Sequence, residues 1–309
     1  MEHRTENERG PEPQPGFRSG FAAIVGRPNV GKSTLLNGIV GQKVTIVSDK
    51  PQTTRNAIQC VWNTPSCQVV FVDTPGIHRP HDRLGEKMMA EAEGALAEVD
   101  LVLFVVDAAA GTGAGDRRIA HRLTPLAERV VLVANKLDRI PAGQRPERLA
   151  ACSELLAGVP VFGISAQTGE GVDALLEHVA ACMPEGPPYF PPDWVTDHPE
   201  RFVVAELVRE KALQLTRDEV PHAIAVEVER MAKRPDRELV DIEATILVER
   251  ESQKGIVIGH KGSLLRQIGS LARPEIEALL GTQVNLQLWV RVEPDWREKE
   301  RVLRALGYR

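Results

Sequence analysis

Four short stretches could together handle a phosphorylated ligand. GRPNVGKS at 26–33 has the spacing G-x-x-x-x-G-K-S. Gly26 and Gly31 let the backbone wrap an anion and aim N–H groups at it, with Arg27, Pro28, Asn29 and Val30 as the loop between. Lys32 would reach the β- and γ-phosphates, Ser33 would ligate magnesium, and Thr34 completes the loop as a helix opens, where the helix dipole favours negative charge. DTPG at 73–76 offers Asp73 as a magnesium-holding carboxylate and the Gly76 N–H to a γ-phosphate, with Thr74 and Pro75 between. NKLD at 135–138 decides the base. A carboxylate at Asp138 accepts two hydrogen bonds from the N1–H and amino group of guanine, and adenine offers neither. Asn135 can hold the base edge and brace the loop, Lys136 can lie over the ring, and Leu137 joins them. In SAQ at 165–167, Ser165 and Gln167 flank Ala166, whose N–H could meet the guanine carbonyl.

These stretches need strands to carry them. Apolar runs suited to strands fall at 21–25, 56–62, 68–73, 101–107, 129–135 and 160–165. Amphipathic helical patterns separate most of them, so the expected architecture is α/β, a mostly parallel sheet with helices on both faces. Only NTPSC joins 56–62 to 68–73, which predicts an antiparallel hairpin there. Each motif then sits at the end of a strand. Residues 1–19 read as a disordered tail, 20–183 as the nucleotide domain, and 184–200, with six prolines, as a fairly stiff linker.

Residues 201–309 change character: a helical pattern at 201–215, strand-like runs at 223–231 and 239–250, a glycine loop, a helix, a strand at 283–292 and a short final helix. The loop KGIVIGHKG at 254–262 has Gly262 where a nucleotide loop would carry Ser or Thr. What remains is Gly259, His260, Lys261 and Gly262 between an apolar run and a helix, the GXXG signature of the smaller α+β KH domain, whose loop clamps single-stranded nucleic acid. His260, Lys261 and Arg266 would contact the RNA backbone, and Ile256 and Ile258 would line a groove for bases. Pro274 should end one helix and start another.

The nucleotide motifs resemble those of the translation-factor-related GTPases. By that resemblance SDKPQTTRN at 48–56 is the first switch, in which Thr54, or alternatively Thr53, senses magnesium and the γ-phosphate. Lys32, Thr54 and Gly76 are then the candidates for stabilising hydrolysis. Ras-like GTPases carry a glutamine after DTPG; here Ile77 stands there, so catalysis must rely on positioning and electrostatics from elsewhere. Asn29 matches relatives that use it to hold potassium near the phosphates, and a loop brace is the alternative. With ESQKGIVIGHKGSLLRQIGSLARPEIEALLG, VNLQLWVRV and the terminal RALGY, residues 20–309 resemble the Era family of bacterial GTPases. That resemblance implies a GTPase with magnesium, binding the 3′ end of small-subunit ribosomal RNA and assisting small ribosomal subunit maturation.

Composition fits. The net charge is −5, with 19 Lys+Arg against 24 Asp+Glu over 1–199 and 19 against 19 beyond, so RNA binding must rest on a local site. No apolar run is long enough to span a bilayer, the N-terminus has no secretory core, and Cys60, Cys67, Cys152 and Cys182 lack zinc spacing, which points to a cytoplasmic protein with reduced thiols, taken as a monomer. Trp296, Val302, Leu303 and Leu306 either pack against the second sheet or form a weak peripheral contact at the inner face of the cell membrane.

Overall fold

Valine, isoleucine and phenylalanine in unbroken runs favour strands buried on both sides, and the computed structural model arranges them so. It describes residues 16–48, 50, 55, 58–74 and 82–308. Thr53, Thr54, Pro75, Gly76, Ile77 and most of the expected tail lie outside the described residues. The strand β1 (Arg18–Val25) begins within the stretch expected to be tail.

The first sheet adds β2 (Ile58–Asn63), β3 (Cys67–Asp73), β4 (Leu101–Asp107), β5 (Val130–Asn135) and β6 (Val161–Gly163), in the order β2-β3-β1-β4-β5-β6. Only β2–β3 is antiparallel, the hairpin that the short connection demands. Helices α1 (Lys32–Val40), α2 (Arg83–Glu98), α3 (Ala114–Leu123), α4 (Arg145–Ser153) and α5 (Val172–Cys182) alternate with the strands. Ala23, Val25, Val102 and Phe104 pack with Ile119, Leu123 and Cys152 in one core layer. Their neighbours Ala22, Ile24, Leu103 and Val105, which point to the opposite face, are equally buried. All parallel strands therefore end on one side, β1 lies between β3 and β4, and the loops after it share one edge.

The proline-rich stretch is not a free spacer. Its prolines cannot donate, and side-chain amides of the sheet supply the missing partners: Gln68 Oε1 accepts from Tyr189 N and Phe190 N, and Asn63 Nδ2 donates to Pro192 O at 3.0 Å. Val61 N donates to Val195 O at 2.9 Å, so the stretch covers the open edge of β2.

By its contacts the chain forms two units. The second holds residues 198–309 together with Thr45–Asn56 and Arg79–Ala90. Its helices α6 (Glu200–Leu215), α7 (Val220–Ala223), α8 (Glu251–Ile258), α9 (Ser263–Leu280) and α10 (Glu300–Ala305) surround β7 (Ala225–Lys233), β8 (Leu239–Val248) and β9 (Gln283–Val292). β7–β8 is antiparallel and β8–β9 parallel. Ile242, Ala244, Ile246 and Leu286 face Val204 and Val208 of α6 and Ile268, Ala272 and Ile276 of α9. On the other side Ala225 and Leu247 pack with Trp296, Leu303, Tyr308, Leu84 and Met88, flanked by Val302 and Leu306. Trp296 and Leu303 are fully buried, so the apolar residues at the C-terminal end serve packing.

The expected break at Pro274 does not occur. α9 runs unbroken from Ser263 to Leu280 with the proline inside it. Ile268, Ala272 and Ile276, spaced four apart, keep both halves on one line against the sheet. Pro274 and Ser270 are both exposed, so the carbonyl that loses its partner faces water and the cost is tolerated.

Candidate functional site

At the exit of β1 the chain turns sharply, because an anion-wrapping loop needs backbone that side chains rarely adopt. Gly31 has φ 101°, and a Cβ there would lie 2.3 Å from Asn135 Nδ2. Asn29 has φ 66° in the same turn. Lys32 is 7 % exposed and its Nζ donates to Gly26 O and Arg27 O, both at 3.1 Å. Burial lowers the Lys32 pKa, and the charge of Asp73 opposes that shift. Ser33 Oγ donates to Asp73 Oδ2 at 3.0 Å, although 40 residues separate them. Asp73 is fully buried at the end of β3. A hydroxyl beside a carboxylate, at the head of a helix with a buried lysine near it, is a set of hard oxygens suited to magnesium and phosphate.

The end of β5 is tied to this loop. Asn135 Nδ2 donates to Val30 O at 2.8 Å, and Asn135 Oδ1 accepts from Lys136 N at 2.7 Å and Ala166 N at 2.9 Å. Asn135 thus braces three loops at once. Lys136, at φ 71°, donates through Nζ to Asn29 O and to Asp107 Oδ2, each at 2.6 Å. Burial would raise the Asp107 pKa, but the hydrogen bond and charge of Lys136 hold it below its ordinary value. Ser165 Oγ donates to Asp138 Oδ1 at 2.6 Å, fixing an otherwise exposed carboxylate.

The structure therefore brings Gly26, Asn29, Gly31, Lys32, Ser33, Asp73, Asn135, Lys136, Asp138, Ser165 and Ala166 to one end of the sheet. Others turn away. Arg27 pairs with Asp116 at 2.8 Å, Thr74 Oγ1 donates to Ile24 O, and Leu137 is buried in the core. Pro28 and Gln167 are exposed, Val30 is buried, and Thr34 lies half-buried in the first turn of α1. Asp107 and Asp116 escaped the sequence reading; Asp107 closes the run LVLFVVD at a strand end, a signal that was available.

In the second unit, Gly259 closes α8 at φ 72°, and a Cβ there would meet Leu264 at 2.9 Å. Lys261 adopts φ 48° and Gly262 φ 77°, after which α9 starts at Ser263. His260, Lys261 and Arg266 are exposed, Ile256 is 51 % exposed beside them, and Ile258 is half-buried. The turn holds two donor side chains out at a helix N-terminus with an uncovered apolar residue nearby.

Residues 21–136 match the family described as 50S ribosome-binding GTPase, and residues 219–297 match the KH domain. GTPase Era of Geobacter metallireducens is 54% identical over 292 residues, covering 94% of this chain and 98% of that protein. The chain belongs to the Era family. It is accordingly a GTPase with a C-terminal KH domain, as the sequence motifs implied. Two solved Era structures agree in fold, each at 42% identity and covering 94% of this chain and 99% of the other. One is a complex of Era with MgGDPNP and nucleotides 1506–1542 of 16S ribosomal RNA, with a TM-score of 0.89. The other is a single-site variant of Aquifex aeolicus Era bound to GDP.AlF4-, with a TM-score of 0.90.

Proposed function

We propose that this Era-family protein binds GTP with magnesium in the first unit and the 3′ end of small-subunit ribosomal RNA through the GXXG turn, and that it assists small-subunit maturation. Residues 20–183 and 201–309 divide these tasks, and the protein acts as a cytoplasmic monomer. The observation that carries the RNA reading is the turn at Gly259–Gly262, with its left-handed backbone and exposed His260 and Lys261. A peripheral membrane contact would need the apolar residues of the C-terminal end, and Trp296 and Leu303 are committed to the core.

Hydrolysis joins water to the γ-phosphorus as the bond to the β-phosphate oxygen breaks, leaving GDP and phosphate. Magnesium, when bound, neutralises phosphate charge. In this reading Ser33 and Asp73 hold it, Lys32 supplies a fixed positive charge, and Asp138 with Asn135 and Lys136 holds the guanine, assignments that the Ser33–Asp73, Lys32–Gly26 and Asn135–Val30 hydrogen bonds support. In this reading Thr54 and the Gly76 N–H meet the γ-phosphate. In the same reading Asn29 binds potassium there, which its exposure and its left-handed backbone, braced by Lys136, support. Replacing potassium by sodium should slow hydrolysis, and Asn29→Ala should erase the difference. A rate indifferent to the cation would leave Asn29 as a loop brace.

For the RNA site, the double replacement His260→Asp and Lys261→Asp sets two carboxylates against phosphate. RNA affinity should fall several-fold to a hundred-fold, about 1–3 kcal/mol. Both positions are exposed, and aspartate tolerates the left-handed backbone at position 261, so folding should survive. Titration of labelled single-stranded RNA at fixed salt reads the effect, with GTP-analogue binding as the control. Unchanged RNA affinity in a folded variant would reduce the turn to a helix cap.

A further inference from the structure

A fully buried carboxylate must be held by donors, and Asp116, in the first turn of α3, has two of different kinds. Its Oδ2 accepts from Gly113 N at 2.8 Å, which caps the helix. Its Oδ1 accepts from Arg27 Nε at 2.8 Å, and Arg27 belongs to the phosphate loop, 89 residues earlier in the chain. One oxygen is enough for the cap. The other ties α3 to the loop.

The helix also makes room for the arginine. Gly115 lies against its stem: a Cβ there would sit 2.5 Å from Arg27 Cδ and 3.3 Å from Cγ. Alanine favours a helix over glycine, so the glycine serves the arginine and not the helix. At the other end of the same residue, Arg27 O accepts from Lys32 Nζ at 3.1 Å, beside Gly26 O at the same distance. An ammonium has three donors, so two carbonyls orient it and leave one for phosphate. Gly26 is pinned as well: at φ 157° it lies against Val105 O, which a Cβ would strike. The two carbonyls that hold Lys32 are thus fixed from outside the loop, one by β4 and one by α3.

We propose that Arg27 and Asp116 are positioning residues for GTP hydrolysis: Asp116 fixes the Arg27 side chain, and Arg27 fixes a carbonyl that aims Lys32. The inference rests on the role given to Lys32 above. The carboxylate is 1% exposed and the guanidinium 35%, so removing the arginine alone would strand a buried charge. A test must therefore move the arm while keeping both charges. Gly115 allows that.

Gly115→Ala pushes on the arginine stem and removes no charge and no group assigned to GTP. Turnover at saturating GTP should fall on the order of 10²-fold, the effect that a misplacement of about 1 Å can have. GDP affinity and the melting temperature should not fall, because the base loops are untouched and alanine suits a helix. Arg27→Lys, which keeps a cation for Asp116, should retain more turnover than Arg27→Gln. In an Arg27→Ala background Gly115→Ala should cost nothing further, since the arm it displaces is gone. Phosphate release, titration with labelled GDP and a melting curve give the three readouts. A folded Gly115→Ala protein with unmodified turnover would overturn the positioning role. So would turnover, GDP affinity and melting temperature falling together, the mark of a merely structural contact. Retained turnover in Lys32→Ala would instead overturn the role of Lys32 itself.

Discussion

Lys32→Ala should remove GTP hydrolysis, with turnover falling on the order of 10²–10³-fold or more, as expected when a preorganised charge is taken from a reacting phosphate. Lys32 Nζ is held by two loop carbonyls in a site sheltered from water. Little reorganisation is therefore left for the moment of reaction. Alanine removes the charge and leaves buried Asp73 without its counter-charge, which should weaken the hold on magnesium as well. Lys32→Arg should not rescue, because a larger planar head does not fit between those carbonyls. Phosphate release over a range of GTP concentrations, with a melting curve as a folding control, gives the answer. A folded Lys32→Ala protein keeping half its turnover would mean that this loop does not carry the chemistry.

Asp138→Asn should move base preference from guanine to xanthine. Two charge-assisted hydrogen bonds from N1–H and the amino group are worth about 1.5–3 kcal/mol each, so GTP affinity should drop roughly 10²–10⁴-fold. An amide can donate to the C2 oxygen of xanthine, so XTP binding should rise. The carboxylate is exposed toward ligand and fixed on its other side by Ser165 Oγ, a bond that an asparagine oxygen can still accept. The variant should fold, and competition between labelled GTP and XTP reports the switch. Equal ATP and GTP affinity in the unmodified protein would dismiss the assignment of this loop to the base.

Chemistry confined to a short loop was legible in the residues. G-x-x-x-x-G-K-S, DTPG, NKLD and GHKG each need particular atoms at fixed spacing, and a strand before or a helix after each could be read from local periodicity. The strand at 283–292 was equally plain, because its apolar residues alternate along one face. The α/β and α+β classes followed from the same alternation.

Long-range partners were not legible. Nothing local tells that Asn135 will brace Val30 and Ala166, or that Asp107 will hold Lys136, because those partners meet only once the parallel strands are in register. Pro274 reads as a break by propensity; the packing of Ile268, Ala272 and Ile276 outweighs the one hydrogen bond it costs. Prolines at 184–192 read as a spacer, yet Gln68 and Asn63, more than a hundred residues away, bind that backbone to the sheet. The sequence by itself determined which ligands this protein can recognise, since each recognition loop carries its own donors and acceptors. Only the tertiary structure decided how Arg55, Asp82 and Glu249 converge on Trp296 and Arg297, because surface charges in a sequence carry no mark of the partner that burial will assign them.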